Sequence, residues 1–277
     1  FTLNDTYADG VFNPFDTSSP YYDPNDSLPG LAPLRKVRFS RYDSLGVKEY
    51  LWVGYIINFD YTFTLGGLDT VSVNCADFSY QLGQTFLDEW NVTEQLSSER
   101  FDDLLDLPEV DYTGTRSIET GVATLGGAAA YTVANGTSVA GYANKINEAE
   151  QGRIFCSRTN VLTMQPRIGT TVVQPVAALS DAGSNIKYNT LQVEFDQQRV
   201  INNCSVTIES GGTIQTATNA ASVSQYFTQT LAITDSLLST NAQAATLADY
   251  LLYPIPLPRF TAVSTYFASL TDAQKRR

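Results

Sequence analysis

Polar and apolar residues alternate, or gather into short β-branched and aromatic runs, over Val37 to Tyr42, Tyr50 to Tyr61 and Thr70 to Asp77. That period of two predicts three strands, separated by Ser44-Leu45-Gly46 and by Gly66-Gly67. In the third, Val71, Val73 and Cys75 are set to face one way and Thr70, Ser72 and Asn74 the other. Three such strands so close together predict an antiparallel sheet or barrel. The rhythm then changes to three and four residues. A helix is expected over 97 to 107, capped by Ser97 or Ser98, with Glu99 in its first turn, Phe101, Leu104 and Leu105 on one face, and Pro108 as its stop. Asp102, Asp103 and Asp106 fall on its opposite, solvated face. A second helix is expected from a Thr137 or Ser138 cap, burying Val139, Tyr142, Ala143, Ile146 and Ala149 and running into Gly152, a residue suited to the left-handed helix end.

Beyond Gly152 the period returns to two. Arg153 to Ser157 and Val161 to Arg167 read as a hairpin turning at Thr159-Asn160, followed by a linker over 168 to 186. A second β-rich region is expected at Thr190 to Asp196, Arg199 to Glu209, Thr213 to Thr218 after a Gly211-Gly212 turn, and Phe227 to Thr234. Thr240-Asn241-Ala242-Gln243 matches a capping box and opens a helix with Ala244, Leu247, Ala248 and Leu251 inward. Pro254, Pro256 and Pro258 end it, and Arg259 to Leu270 reads as a last strand. Residues 1 to 36 are rich in turn dipeptides such as Asn13-Pro14 and Pro29-Gly30, and are expected to be extended coil. The chain starts on Phe1-Thr2-Leu3 as though inside a strand, which suggests a piece of a longer protein. The fold class expected from the pattern is mainly β with helices (α+β), two β-rich regions around a smaller part with two helices and a hairpin.

Composition narrows the chemistry. The chain has 277 residues, 43% of them hydrophobic and 17% charged, with a net charge of −12 and no histidine. Net acidity repels phosphate backbones, and the missing histidine removes His-dependent nucleophile triads and His metal ligands. Cys75, Cys156 and Cys204 lie far apart in apolar alternating runs and read as buried free thiols, a Cys75–Cys204 bridge being the one alternative considered. The aspartates at 5, 9, 16, 23 and 26 lack calcium-loop spacing and read as turn formers. Gly126-Gly127-Ala128-Ala129-Ala130 has neither a phosphate-loop spacing nor its strand-then-helix setting, and reads as a loop before a short strand at Tyr131 to Ala134.

Glu148 and Glu150 are the most tempting pair for glycosidase-type acid and base catalysis, but two residues apart on a helix they diverge by about 200°. Asp77 and Glu89 are the carboxylates that a fold would have to bring together for an enzyme acting on cell-wall polysaccharide. Tyr50, Trp52, Tyr55, Phe59 and Tyr61 could form a sugar-stacking platform of an adhesin, although core or subunit interface is the more ordinary use of aromatics on a strand. No catalytic, cofactor-binding or metal-binding set is assigned.

Four places carry a family resemblance. Thr2-Leu3-Asn4-Asp5 with Gly10, Phe12, Pro14 and Ser19-Pro20-Tyr21 is one, and Val53-Gly54-Tyr55-Ile56 is another. The third is Glu148 to Phe155, with Asn160 in place of the usual turn glycine. The last comprises Val200-Ile201-Asn202-Asn203, Ser222 to Tyr226 and the helix at 242 to 252, with Phe227 where glycine is usual. In this order the chain resembles the minor tail proteins of long-tailed actinobacteriophages, the tail-hub class related to the baseplate hub of contractile tails. The resemblance implies two tube-like antiparallel β-barrel domains per chain, 1–90 and 187–277 on either side of an insert over 91–186, so that a homotrimer presents six similar contacts to a six-fold tail tube. It implies a tail-tip location after assembly in the host cytoplasm, and a non-enzymatic role in capping the tube, host attachment and DNA delivery. Its implied partners are a distal tail protein or tube ring, the tape measure protein and other tip or fibre proteins, with DNA met in transit and the host envelope indirectly. A six-copy distal tail ring is the alternative within the same class.

Overall fold

The computed structural model describes residues 2–5, 17, 33–65, 69–167, 179–180, 186–194, 196, 199–253 and 259–265. Its first unit is a curled four-stranded sheet of β1 (Thr2–Asp5), β2 (Lys36–Tyr42), β3 (Lys48–Thr62) and β4 (Asp69–Ala76), in the order β1-β4-β3-β2 and antiparallel throughout. Val71 and Val73 are buried while Ser72 and Asn74 are exposed, as the alternation requires. With Ile56 they form a small core, against which Leu3, Val37, Phe59, Tyr61 and Cys75 pack.

α1 (Phe78–Gln84) follows β4 directly, capped by the Asp77 carboxylate, which accepts from the Ser79 N–H at 3.0 Å. β5 (Phe86–Leu87) and β6 (Gln95–Leu96) lead to α2 (Ser97–Asp106) and then to β7 (Arg116–Ile118) and β8 (Thr124–Leu125). Tyr131 belongs to a 3₁₀ turn over Ala129–Tyr131 rather than to a strand, and only Val133 of the expected strand pairs, bridging to Trp90. β9 (Thr137–Ser138) opens α3 (Val139–Glu150), where the Ser138 hydroxyl accepts from the Gly141 N–H. The five apolar positions expected inside α3 are all buried.

The hairpin after α3 is β10 (Arg153–Cys156) and β11 (Leu162–Gln165), and Asn160 takes the left-handed conformation in its turn (φ +62°). Two details of this junction differ from expectation. Gln151, not Gly152, is the left-handed helix end (φ +56°). Gly152 is required for another reason: a Cβ there would collide with the backbone carbonyl of Gln165 on β11.

The rest comprises β12 (Tyr188–Glu194), β13 (Asn203–Ile208), β14 (Gln215–Thr218), α4 (Ala220–Tyr226), β15 (Thr230–Ser236), α5 (Asn241–Tyr250) and β16 (Arg259–Thr265). β12 pairs with β16, while β13 lies between β14 and β15. The β13–β15 pairing is parallel, as is β11–β7, so this region is not antiparallel throughout. A parallel pair needs a crossover, and β14 with α4 supplies it. Thr240 caps α5 as expected, with Ala244, Leu247 and Ala248 inward. The opening coil and the linker over 168 to 186 fall largely outside the described residues.

One large core joins α1, α2 and α3 to the β13 sheet and α5, from Leu82 through Phe101, Ile146, Met164 and Val206 to Leu251. Each fully buried leucine or phenylalanine in it contributes roughly 1.5–3 kcal/mol of burial free energy.

Candidate assembly surface

The helical carboxylates are divided by their surroundings as well as by their spacing. Glu148 is exposed, whereas Glu150 is wholly buried. Glu150 Oε2 accepts from the Ser97 hydroxyl at 2.6 Å, the Ala123 N–H at 2.8 Å and the Val122 N–H at 3.0 Å. Its Oε1 accepts from the Arg167 N–H at 3.2 Å. The carboxylate is therefore a structural acceptor for three chain segments, with no geometry for acid and base work. This also corrects the capping of α2: Ser97 turns inward to Glu150, Leu96 occupies the cap position, and Glu99 accepts from the Leu96 N–H at 2.9 Å.

Arg100, which sequence reasoning passed over, is equally buried. Its guanidinium donates to the carbonyls of Thr93 and Gly126 and to the Tyr142 hydroxyl, and lies 5.9 Å from the Trp90 ring centroid. Burial pushes the Tyr142 phenol up from its ordinary value, which keeps it a neutral acceptor. A lone Arg in an amphipathic helix pattern gives no warning of this.

The other candidates stay apart. Asp77 is spent on the α1 cap and Glu89 is exposed in the loop after β5. Among the described residues no cluster of three or more His, Cys, Asp or Glu is placed to hold a metal. All three cysteines are free, Cys204 buried and Cys75 and Cys156 partly so, and burial pushes each thiol up. No helix among the described residues is long and apolar enough to cross a membrane.

The aromatic strand splits between two faces. Phe59 and Tyr61 pack on the small core, and Trp52 lies over Gly54 beside Phe39, with ring centroids 5.9 Å apart. A side chain on Gly54 would occupy the space of the Trp52 indole. Tyr50 is on the other face, with Arg38 5.7 Å and Lys48 5.6 Å from its ring centroid. The five rings thus do not form one platform.

Phe227 is the most strained exposed aromatic. It holds φ +60° and ψ 173°, a region favourable essentially for glycine alone, and its side chain is 79% exposed. The buried Asn202 amide fixes this turn, donating to the Phe227 carbonyl at 2.7 Å and accepting from the Gln229 N–H at 2.8 Å. Phe227→Gly is expected to stabilise the chain by about 1 kcal/mol, the relief of strain being partly offset by the greater freedom of unfolded glycine. Urea unfolding checks it; an unchanged or lower midpoint would show that the turn is not under strain.

Charge is unevenly distributed. Residues 35 to 49 carry five of the chain's 17 lysines and arginines against two acids, while residues 88 to 111 carry nine acids against Arg100 alone. On α2 the expected acidic face is real but tied down: Arg116 of β7 bridges Asp102 at 2.8 Å and Asp106 at 2.6 Å, and Asp103 accepts from Gln95.

The fold so described is shared with tail proteins of known structure, one of them from a prophage. The tail protein from Neisseria meningitidis MC58 superposes with a TM-score of 0.53 at 13% identity, over 73% of this chain and 60% of its own length. The 43 kDa tail protein of prophage MuSo2 from Shewanella oneidensis gives a TM-score of 0.50 at 13% identity, over 78% of this chain and 68% of its own. The chain therefore spans only about three-fifths of the Neisseria protein. No protein-family model matches the sequence, and no curated protein matches it.

Proposed function

We propose that the chain is a structural protein of a phage virion tail, a tail-tip hub that caps the tube and organises the other tip proteins. The observation that carries this reading is the fold shared with two tail proteins over more than 70% of the chain. The motif order of the sequence supports the narrower hub assignment. In this reading three copies assemble in the host cytoplasm, with 1–90 and 187–277 as tube-like units and 91–186 as the insert between them. They contact a distal tail protein or tube ring, the tape measure protein and fibre or other tip proteins, meet DNA in transit, and reach the host envelope indirectly. The excess of carboxylates suits a surface along which DNA must slide without sticking.

In virions that carry this chain, immunogold labelling is expected at the tail tip, and cryo-EM there should show density for three copies. Labelling of the head, or none on tail particles, would overturn the reading, and six copies would make the chain a distal ring.

A further inference from the structure

We propose that the β2–β3 hairpin of one copy docks on the acidic segment 88–111 of a second copy of this chain. The pairing follows from charge and exposure, and does not rest on a place in the tail.

In an antiparallel sheet, directly opposed residues share a face. Lys36 stands opposite Tyr55, Arg38 opposite Val53 and Lys48 opposite Tyr42, so the three cations and the tyrosines at 42 and 55 line one side of the hairpin. The positions of Arg38 and Lys48 around the Tyr50 ring put that tyrosine among them. Lys36, Arg38 and Lys48 are all exposed, and among the described residues none of them is within ion-pair distance of a carboxylate. Arg41 differs in being bound to Glu49 at 3.1 Å.

The tip beyond them is ordered and apolar. The Asp43 carboxylate accepts from the Leu45 and Val47 N–H groups at 2.9 and 2.8 Å, and the turn so fixed holds Leu45 83% and Val47 57% exposed. Tyrosines, an arginine and an apolar tip, carried on a hairpin whose turn is fixed by the Asp43 carboxylate, have the make-up of an interface patch.

Charge complementarity makes a second copy of this chain the occupant. In a chain of net charge −12 this face is a cationic island, and its counterpart in the same sequence is 88–111, where Asp88, Glu89 and Glu94 are exposed. The hairpin belongs to the small sheet, while 88–111 wraps the large core. Two different patches that fit each other make a heterologous, head-to-tail contact, which closes into a ring when the rotation allows.

Sedimentation velocity on the 277-residue chain tests it. Self-association is expected at low salt and should weaken as salt rises. Lys36→Glu/Arg38→Glu/Lys48→Glu and, separately, Asp88→Lys/Glu89→Lys/Glu94→Lys should each weaken association by about 100-fold while leaving the circular dichroism spectrum unchanged. Mixing the two reversed chains should restore it, because each then meets its complement. A monomeric wild-type chain overturns the proposal, as does either reversed chain that associates like wild type, or a mixture that stays dissociated. Retention of the hairpin face on DNA or an anionic glycan, with the chain still monomeric, also overturns it.

Discussion

Glu150→Ala is expected to lower the unfolding free energy by about 3–5 kcal/mol, measured by urea denaturation. The carboxylate gathers the Ser97 hydroxyl and the N–H groups of Val122, Ala123 and Arg167 at a site without solvent exposure. Alanine leaves these donors with neither partner nor water, and each unsatisfied one costs about 1–3 kcal/mol unless the site relaxes. Glu150→Gln separates acceptor from volume. It keeps the side chain's size but turns one oxygen into an NH₂ that faces donors, so a loss of about 2 kcal/mol is expected. Glu148→Ala, at an exposed site, should stay within about 0.5 kcal/mol of wild type. Equal effects at 148 and 150 would refute the structural role assigned to Glu150.

Gly152→Val should cost about 3 kcal/mol and disturb the β10–β11 hairpin, read by unfolding and by loss of amide protection over 153 to 165. The clash is with a backbone carbonyl of the strand directly opposite, since Arg153 pairs with Gln165. A side chain could rotate away, but a ladder carbonyl cannot move without breaking the register. The Glu150 Cγ, 3.2 Å from the same added carbon, blocks the other direction. A Gly152→Val chain that unfolds like wild type would mean the hairpin has slack.

Long amphipathic elements are legible in this sequence, and short or polar ones are not. α3 and α5 were legible because their apolar positions recur over several turns after a hydroxyl cap. α1 and α4, each seven residues, bury only one residue apiece, Leu82 and Ser222, so periodicity had nothing to register. Their caps, Asp77 and Asn219, were the signal that could have found them. The parallel β13–β15 pairing depends on contacts beyond any local window. The helix pattern points to Gly152 as a helix end, whereas its need for glycine comes from close approach to β11, which leaves no mark on that pattern. The polar groups are least legible: nothing local separates buried Glu150 from exposed Glu148, or shows that Arg100 is sealed inside while Lys36 and Arg38 face water.

The sizes of the two cores bear on how order is distributed in the molecule. The large one ties elements more than a hundred residues apart into one cooperative block, whereas the sheet of β1 to β4 rests on Ile56, Val71 and Val73. Local opening free energy follows buried apolar contact, so the sheet can breathe while the block stays closed. The chain thus joins a stiff anchor to a pliant paddle, and the paddle would gain its rigidity when a neighbour covers it.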